Sequence, residues 1–142
     1  MFSLFTSSKP SVKKNYLLSL IKLAKADGFI SDQELELLIK MGKKHGVSQA
    51  EVLELISDAD EFFYKAPVSD ADRFDQLYDM VEMMMADGRV EESEKKYIID
   101  VAEKMGVRPA VAWILITNLM EGIKANTKKK FLRKSAANYL FM

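Results

Sequence analysis

The feature that most constrains the fold of this chain is an internal duplication. When the sequence is compared with itself at an offset of 60 residues, positions 14–56 align with 74–116 without a gap, and twelve of the forty-three pairs are identical. The tripeptide Ala-Asp-Gly at 26–28 falls on the same tripeptide at 86–88. Such a repeat indicates two similar units that bury their apolar faces against each other, and two units are too few for a solenoid.

Each unit has a helical pattern. Apolar residues recur every three or four positions, and the whole chain has only six glycines and three prolines. Ser31 with Glu34 and Ser48 with Glu51 match the capping box of a helix start, and Ser69 with Asp72 is a weaker version. Glycines that favour a left-handed residue after a helix occur at 28, 46, 88 and 106. We predict helices near 11–26, 31–45, 48–64, 69–86, 91–105, 108–122 and 126–140.

These signals predict an all-α fold in which residues 1–142 form a single domain. The domain is expected to be a bundle of about seven helices. Two pseudo-symmetric three-helix units, 11–64 and 69–122, are related by a pseudo-twofold axis, and a C-terminal helix at 126–140 packs on the pair.

Composition excludes several classes of protein. The absence of cysteine removes disulfide frameworks, thiolate metal sites and cysteine nucleophiles, and His45 is the only histidine, so a multi-histidine metal site is excluded. We expect His45 to be a solvated side chain at a helix end. The first residues lack the features of a signal peptide and no apolar run is long enough to span a bilayer, so a cytoplasmic protein is expected.

No enzyme motif is present. The sequence has no glycine-rich phosphate loop, histidine pair or nucleophile elbow, and we therefore predict that the protein is not an enzyme. The 21 basic and 21 acidic residues balance, so no overall charge favours nucleic acid. The helix that begins near Ser48 is acidic, which argues against specific DNA recognition.

The duplicated Asp-Gly turn is followed by a glutamate in each unit, and these acids are the main candidate site. The four carboxylates belong to Asp27, Glu34, Asp87 and Glu94. Oxygen ligands suit Ca²⁺, Mg²⁺ or Mn²⁺, and the pseudo-twofold could bring the two pairs together. The spacing matches only the second half of an EF-hand loop, so a true EF-hand is not expected.

A structural interpretation of the same acids stays open. Glu34 is explained by its capping box, and Glu51 uses the same device where no metal is suspected. An aspartate before glycine can accept backbone N–H groups within a tight turn. The alternative function is therefore an interaction bundle that binds no metal.

The doubled motif, each copy followed by a Gly-Val helix break, resembles the TerB-like family, which includes the tellurite resistance protein TerB and the N-terminal domain of DjlA-type co-chaperones. The resemblance covers about 12–122. It implies a seven-helix all-α bundle, no known catalysis, a role in stress responses including tellurite resistance, and metal binding through Asp27, Glu34, Asp87 and Glu94. Because these 142 residues contain no recognisable J-domain and no apolar run long enough to span a membrane, a direct co-chaperone role of the DjlA type is not expected.

The C-terminal segment is a second candidate surface, because no acidic residue follows Glu121. A helix that covers the bundle with solvated lysines is the simpler interpretation. The alternative is contact with an anionic membrane or an acidic protein partner. The residues of this surface are Lys128, Lys129, Lys130, Arg133 and Lys134.

Overall fold

Residues 12–139 form seven α-helices, because each apolar stripe in this part of the sequence is buried against another helix. The structure, a computed structural model, describes residues 12–139. Its helices are α1 (Val12–Ala24), α2 (Asp32–Lys44), α3 (Gln49–Asp58), α4 (Asp70–Met85), α5 (Glu92–Lys104), α6 (Pro109–Lys124) and α7 (Lys129–Ala136). None of the described residues forms a β-strand, so the predicted all-α class is confirmed.

The first helices of the two units, α1 and α4, form the centre of the bundle and pack against each other. Helix α1 also contacts α2, α3 and α5, whereas α4 also contacts α2, α5 and α6, and α7 packs on α6. Leu17 and Leu20 of α1 are fully buried, as are Leu77 and Met80 at the equivalent positions of α4. Each unit therefore completes the core of the other, and a single hydrophobic core results.

Two polar pairs cross this central contact. The Tyr16 hydroxyl donates to the Asp79 carboxylate, and Gln76 Nε2 donates to Ser19 Oγ at 2.9 Å. Positions 16 and 19 correspond to positions 76 and 79 in the repeat, so the pseudo-twofold exchanges the two pairs. Both pairs satisfy groups that would otherwise be buried without a hydrogen bond.

The predicted glycine stops are confirmed at the ends of α2 and α5. Gly46 has a φ of 79° and Gly106 a φ of 104°, a region that side chains with a Cβ rarely adopt. The backbone N–H of the following residue then bonds back into the helix, from Val47 to the Gly42 carbonyl at 2.7 Å and from Val107 to the Ala102 carbonyl at 3.0 Å. This geometry turns the chain into the next helix of each unit.

The predicted extension of the third helix to residue 64 is wrong. Helix α3 ends at Asp58, a single 3₁₀ turn spans Ala59–Glu61, and the chain is extended at Phe62. Acidic residues at a helix C-terminus oppose the helix dipole, and this segment is acidic. Lys22 of α1 and Lys25, the residue that follows α1, bind the carbonyls released there, with Nζ of Lys22 2.7 Å from the Phe62 oxygen and Nζ of Lys25 3.1 Å from the Ile56 oxygen.

The last two helices also differ from their predicted limits. Helix α6 continues to Lys124 rather than 122, and α7 is shorter than the predicted 126–140 because Asn126, with a φ of 57°, ends α6 in a loop. The predicted first and last helix positions, 11 and 140, and the expected lack of a signal peptide fall on 1–11 and 140–142, outside the described residues. Over residues 12–139, no helix combines the length and apolar character needed to cross a bilayer.

Candidate functional site

The two Asp-Gly turns have the same backbone form in both units. Gly28 has a φ of 103° and Gly88 a φ of 81°. Asp87 Oδ1 accepts the backbone N–H of Arg89 at 3.1 Å, and Asp27 Oδ1 lies 3.5 Å from the backbone nitrogen of Phe29. The expected bonding of these aspartates within their own turns is therefore met at Asp87 and is long at Asp27.

The two glutamates of the motif occupy the third position of α2 and of α5. Glu34 Oε1 accepts the backbone N–H of Ser31 at 2.9 Å, and the Ser31 hydroxyl accepts the N–H of Glu34 at 3.1 Å, so the predicted capping box is present. In the second unit Glu94 Oε1 accepts the backbone N–H of Glu91 at 3.0 Å. Each glutamate therefore satisfies a free N–H of its helix start with one carboxyl oxygen.

The structure brings these two glutamates together in the interior. Glu34 is 3% exposed and Glu94 is 2% exposed, and their carboxyl groups lie close enough for Glu34 to raise the pKa of Glu94. Two carboxyl groups can share a hydrogen bond only when a proton lies between them, because two carboxylates have no donor. The pseudo-twofold thus converts two separate helix caps into one buried acid pair.

The electrostatics of the pair follow from this position. The pKa of Glu94 is raised to about 7, and burial is the main cause. The hydrogen bond with Glu34, the charge of Glu34 and the charge of Asp87 act in the same direction, while the N–H of Glu91 lowers the pKa. The protonation of Glu94 therefore changes near neutral pH.

Glu51 shows that capping alone does not require this arrangement. It forms the same capping box with Ser48, through bonds of 3.1 Å and 3.2 Å, but its surroundings are exposed. The pKa of Glu51 is lowered, chiefly by the backbone N–H of Ser48. The same local device thus gives opposite pKa shifts at Glu51 and Glu94, and the difference comes from burial and pairing.

The predicted metal ligands are therefore only partly assembled. Glu34 and Glu94 are in contact, Asp87 is half-buried and acts on Glu94 through its charge, and Asp27 is exposed at its turn. Within the described residues, no three acidic, histidine or cysteine side chains are gathered closely enough to hold a metal ion. The geometry centres on two carboxyl groups rather than four.

The predicted basic surface divides into two parts. Asp75 of α4 accepts Arg133 at 2.7 Å and Lys129 at 3.2 Å, so these two cations hold α7 against the bundle. Lys128, Lys130 and Lys134 are exposed. The cations that remain directed to solvent are therefore three of the five predicted.

Sequence reasoning missed a cleft beside α1 and α4. Its lining includes Tyr16, His45 and Asp79, and the buried Nε2 of His45 has no hydrogen-bond partner. The expectation of a solvated imidazole is therefore wrong at Nε2. The signal in the sequence was the divergence of the repeat, because positions 16, 45 and 79 differ from their equivalents in residue type.

Comparison with known protein families identifies a relationship. The family model described as Tellurite resistance protein TerB matches residues 13–115. The matched range begins in α1, ends within α6 and includes both Asp-Gly turns and both buried glutamates. No curated protein and no solved structure matches the chain.

Proposed function

The chain belongs to the TerB family of tellurite resistance proteins, and from this membership we propose that it is a non-enzymatic stress-response module that binds a divalent cation through Glu34 and Glu94. The observation that carries the proposal is the burial of these two carboxyl groups against each other. Buried carboxylates need a proton or a cation to offset their repulsion and desolvation. A divalent cation would replace the shared proton.

The donor set favours a particular class of ion. Ca²⁺ takes about six to eight oxygen ligands, whereas Mg²⁺ is usually held by one or two carboxylates and keeps several waters. Two glutamates, each with Oε1 already bonded to a backbone N–H, supply the smaller set. We therefore propose Mg²⁺ or Mn²⁺ rather than Ca²⁺, with Glu34 and Glu94 as ligands and with Asp87 and Asp27 contributing negative charge from the turns.

Titration of the full chain with single cations tests this proposal. Chelator-treated, ¹⁵N-labelled protein is titrated with Mg²⁺, Ca²⁺, Mn²⁺ or Zn²⁺, using fresh protein for each ion. We expect saturable changes at the amides that begin α2 and α5, strongest for Mg²⁺, with Mn²⁺ broadening the same signals. Glu34→Gln and Glu94→Gln should each weaken binding by about tenfold or more, as expected for loss of a ligand charge.

Glu51→Gln is the matched control, because Glu51 has the same helix position and capping box without the pairing. It should leave cation binding unchanged. The proposal is wrong if no ion gives saturable changes at millimolar concentration, or if Glu51→Gln weakens binding as much as Glu94→Gln. In either case the acids are structural, and the module acts only through its partners.

A second candidate function is supported by the exposed part of α7. Phe131 is 56% exposed and lies in the chain between lysines 128, 130 and 134, and an apolar side chain among cations suits an anionic membrane surface. Replacing these three lysines by glutamine should abolish binding to phosphatidylserine vesicles at physiological salt. The control replaces the exposed Lys40, Lys43 and Lys96, and equal losses in the two sets would contradict specific docking.

A further inference from the structure

A cleft of about 590 Å³ lies where the two units meet, apart from the acid pair. It is bounded by α1, the end of α2, the segment between the units, α4 and the start of α7. The volume is in the range of sites that hold small molecules. None of the four acids of the repeated motif lines it.

The inner end of the cleft carries a buried negative group. Asp79 is 6% exposed and accepts the Tyr16 hydroxyl, which also lies 3.0 Å from the Asp75 carbonyl oxygen. No lysine or arginine of residues 12–139 forms an ion pair with Asp79. A buried carboxylate with one neutral donor has further acceptor capacity for an N–H group.

The outer part of the cleft carries the opposite charge. Lys13, Lys44 and Lys65 are exposed along its edge, and none of them forms an ion pair with a described residue. The remaining lysine of the lining, Lys129, is bound to Asp75. The cleft is therefore negative at its inner end, and its edge has a net positive charge because the three lysines outnumber the exposed Asp72.

The duplication shows that this cleft is not simply a product of the fold. In the second unit the positions equivalent to Tyr16 and His45 hold Gln76 and Met105, which are both buried. Met105 is fully buried, and Gln76 bonds to Ser19 and to Tyr64, so the second unit has neither an imidazole nor a phenol ring at these positions. The first unit instead leaves Nε2 of His45 unpaired beside the Tyr16 ring, with the ring centres 4.9 Å apart.

We infer that this cleft binds a small molecule with two poles, an ammonium or amino group that donates to Asp79 and a phosphate or carboxylate group that the lysines at the edge attract. The aromatic ring of Tyr16 forms a wall for the body of the molecule. An aliphatic amine and the amino group of a nucleobase both have the required chemistry.

The test uses probes that carry both poles or only one. Phosphoethanolamine and adenosine 5′-monophosphate carry an amino group and a phosphate, whereas ethanolamine and glycerol 3-phosphate each carry one pole. We expect a two-pole probe to shift the amides of the cleft and the ring signals of the single histidine, with a Kd about tenfold or more below that of either half. Binding of only one two-pole probe identifies the source of the amino group and supports the inference.

Two variants with a matched control make the assignment specific. Asp79→Asn keeps an acceptor for Tyr16 but removes the charge, and Lys44→Glu reverses charge at the edge; each should weaken the two-pole probe about tenfold. Lys104 is the last residue of α5 as Lys44 is the last of α2, and it lies outside the cleft lining. Lys104→Glu should therefore leave binding unchanged.

Three results would overturn the inference. The first is the absence of saturable shifts with both two-pole probes. The second is an equal Kd for the two-pole probe and for the one-pole probes. The third is an equal loss of affinity in Lys44→Glu and Lys104→Glu. If Asp79→Asn does not fold, the comparison of the two lysine variants still decides the question.

Discussion

The acid pair and the cleft lie at different places where the two units meet. The repeated residues are identical at the acid pair and different at the cleft. At the acid pair both copies retain the same residue, so Glu34 and Glu94 meet as equals. At the cleft the copies have diverged, so His45 stands where the second unit has Met105 and Asp79 where the first has Ser19. The acid pair takes the same residue from both copies, whereas the cleft is lined by different residues from each copy.

This difference separates two kinds of constraint within one fold. The buried acids raise the free energy of the apo protein, because each carboxylate would be more stable in water. The fold offsets part of that cost through the helix caps, and the raised pKa of Glu94 favours its neutral form. The cleft likewise leaves a buried polar atom without a partner, at a position that the second unit fills with an apolar side chain. Both regions therefore contain buried polar groups that lower the stability of the folded state. Close packing of the core does not require these groups.

The largest expected effect is that of Glu94→Gln on the pH dependence of stability. Because the pKa of Glu94 is raised from 4.5 to about 7 in the folded state, its contribution to stability is fully present below about pH 4.5 and is lost as the pH rises through 7. The substituted amide cannot ionise and can donate to Glu34. In chelator, the variant should therefore gain about 2–3 kcal/mol of unfolding free energy over wild type at pH 8, and much less at pH 5.

Urea denaturation of both proteins at the two pH values measures this gain. Glu51→Gln is the control, and the lowered pKa of Glu51 means that its substitution should not stabilise the protein at pH 8. If the Glu94→Gln gain were the same at both pH values, the acid pair would not share a proton.

The acid pair was the part of the site that sequence reasoning could reach. The repeat predicted two equivalent glutamates, and the pseudo-twofold predicted that they could meet. The sequence could not show that Glu34 is buried whereas Glu51 is more exposed, because their capping boxes have the same local pattern. Helix starts were predicted well since caps depend on neighbouring residues. The end of α3 was missed because the carbonyls there are bound by Lys22 and Lys25, which are 40 and 31 residues away in the sequence.

A second prediction concerns a helix contact at which the two units have different residues. A Cβ at Gly42 would lie 2.6 Å from Cγ2 of the buried Val52, whereas the equivalent positions of the second unit hold Ala102 and Ala112. Gly42→Ala should therefore destabilise the protein by about 1–2 kcal/mol, with overpacking partly offset by better helix propensity. Unfolding free energies from urea denaturation provide the measurement.

The difference between the two units at these positions also predicts that a second substitution restores part of the stability lost in Gly42→Ala. Val52→Ala alone should cost about 2 kcal/mol through loss of buried methyl groups, but in combination with Gly42→Ala it recreates the pair of the second unit. The double variant should then lose less stability than the sum of the single losses. Additive losses would show that the two units do not use this contact in the same way.

The smallest expected effect tests whether the unpaired nitrogen of His45 in the cleft lowers the stability of the protein. His45→Met gives the first unit the residue that the second unit has at the same place, and it removes a buried nitrogen that lacks a partner. We expect the variant to be more stable by about 1 kcal/mol, since an unsatisfied buried polar atom costs roughly that amount or more. The reciprocal Met105→His should destabilise, because it introduces such an atom into the fully buried position of the second unit. Thermal and urea unfolding of both variants measure whether each substitution raises or lowers the free energy of unfolding.

A loss of stability in His45→Met would mean that the ring contact with Tyr16 contributes more to stability than the unpaired nitrogen costs. His45 would then be an ordinary packing residue of the core.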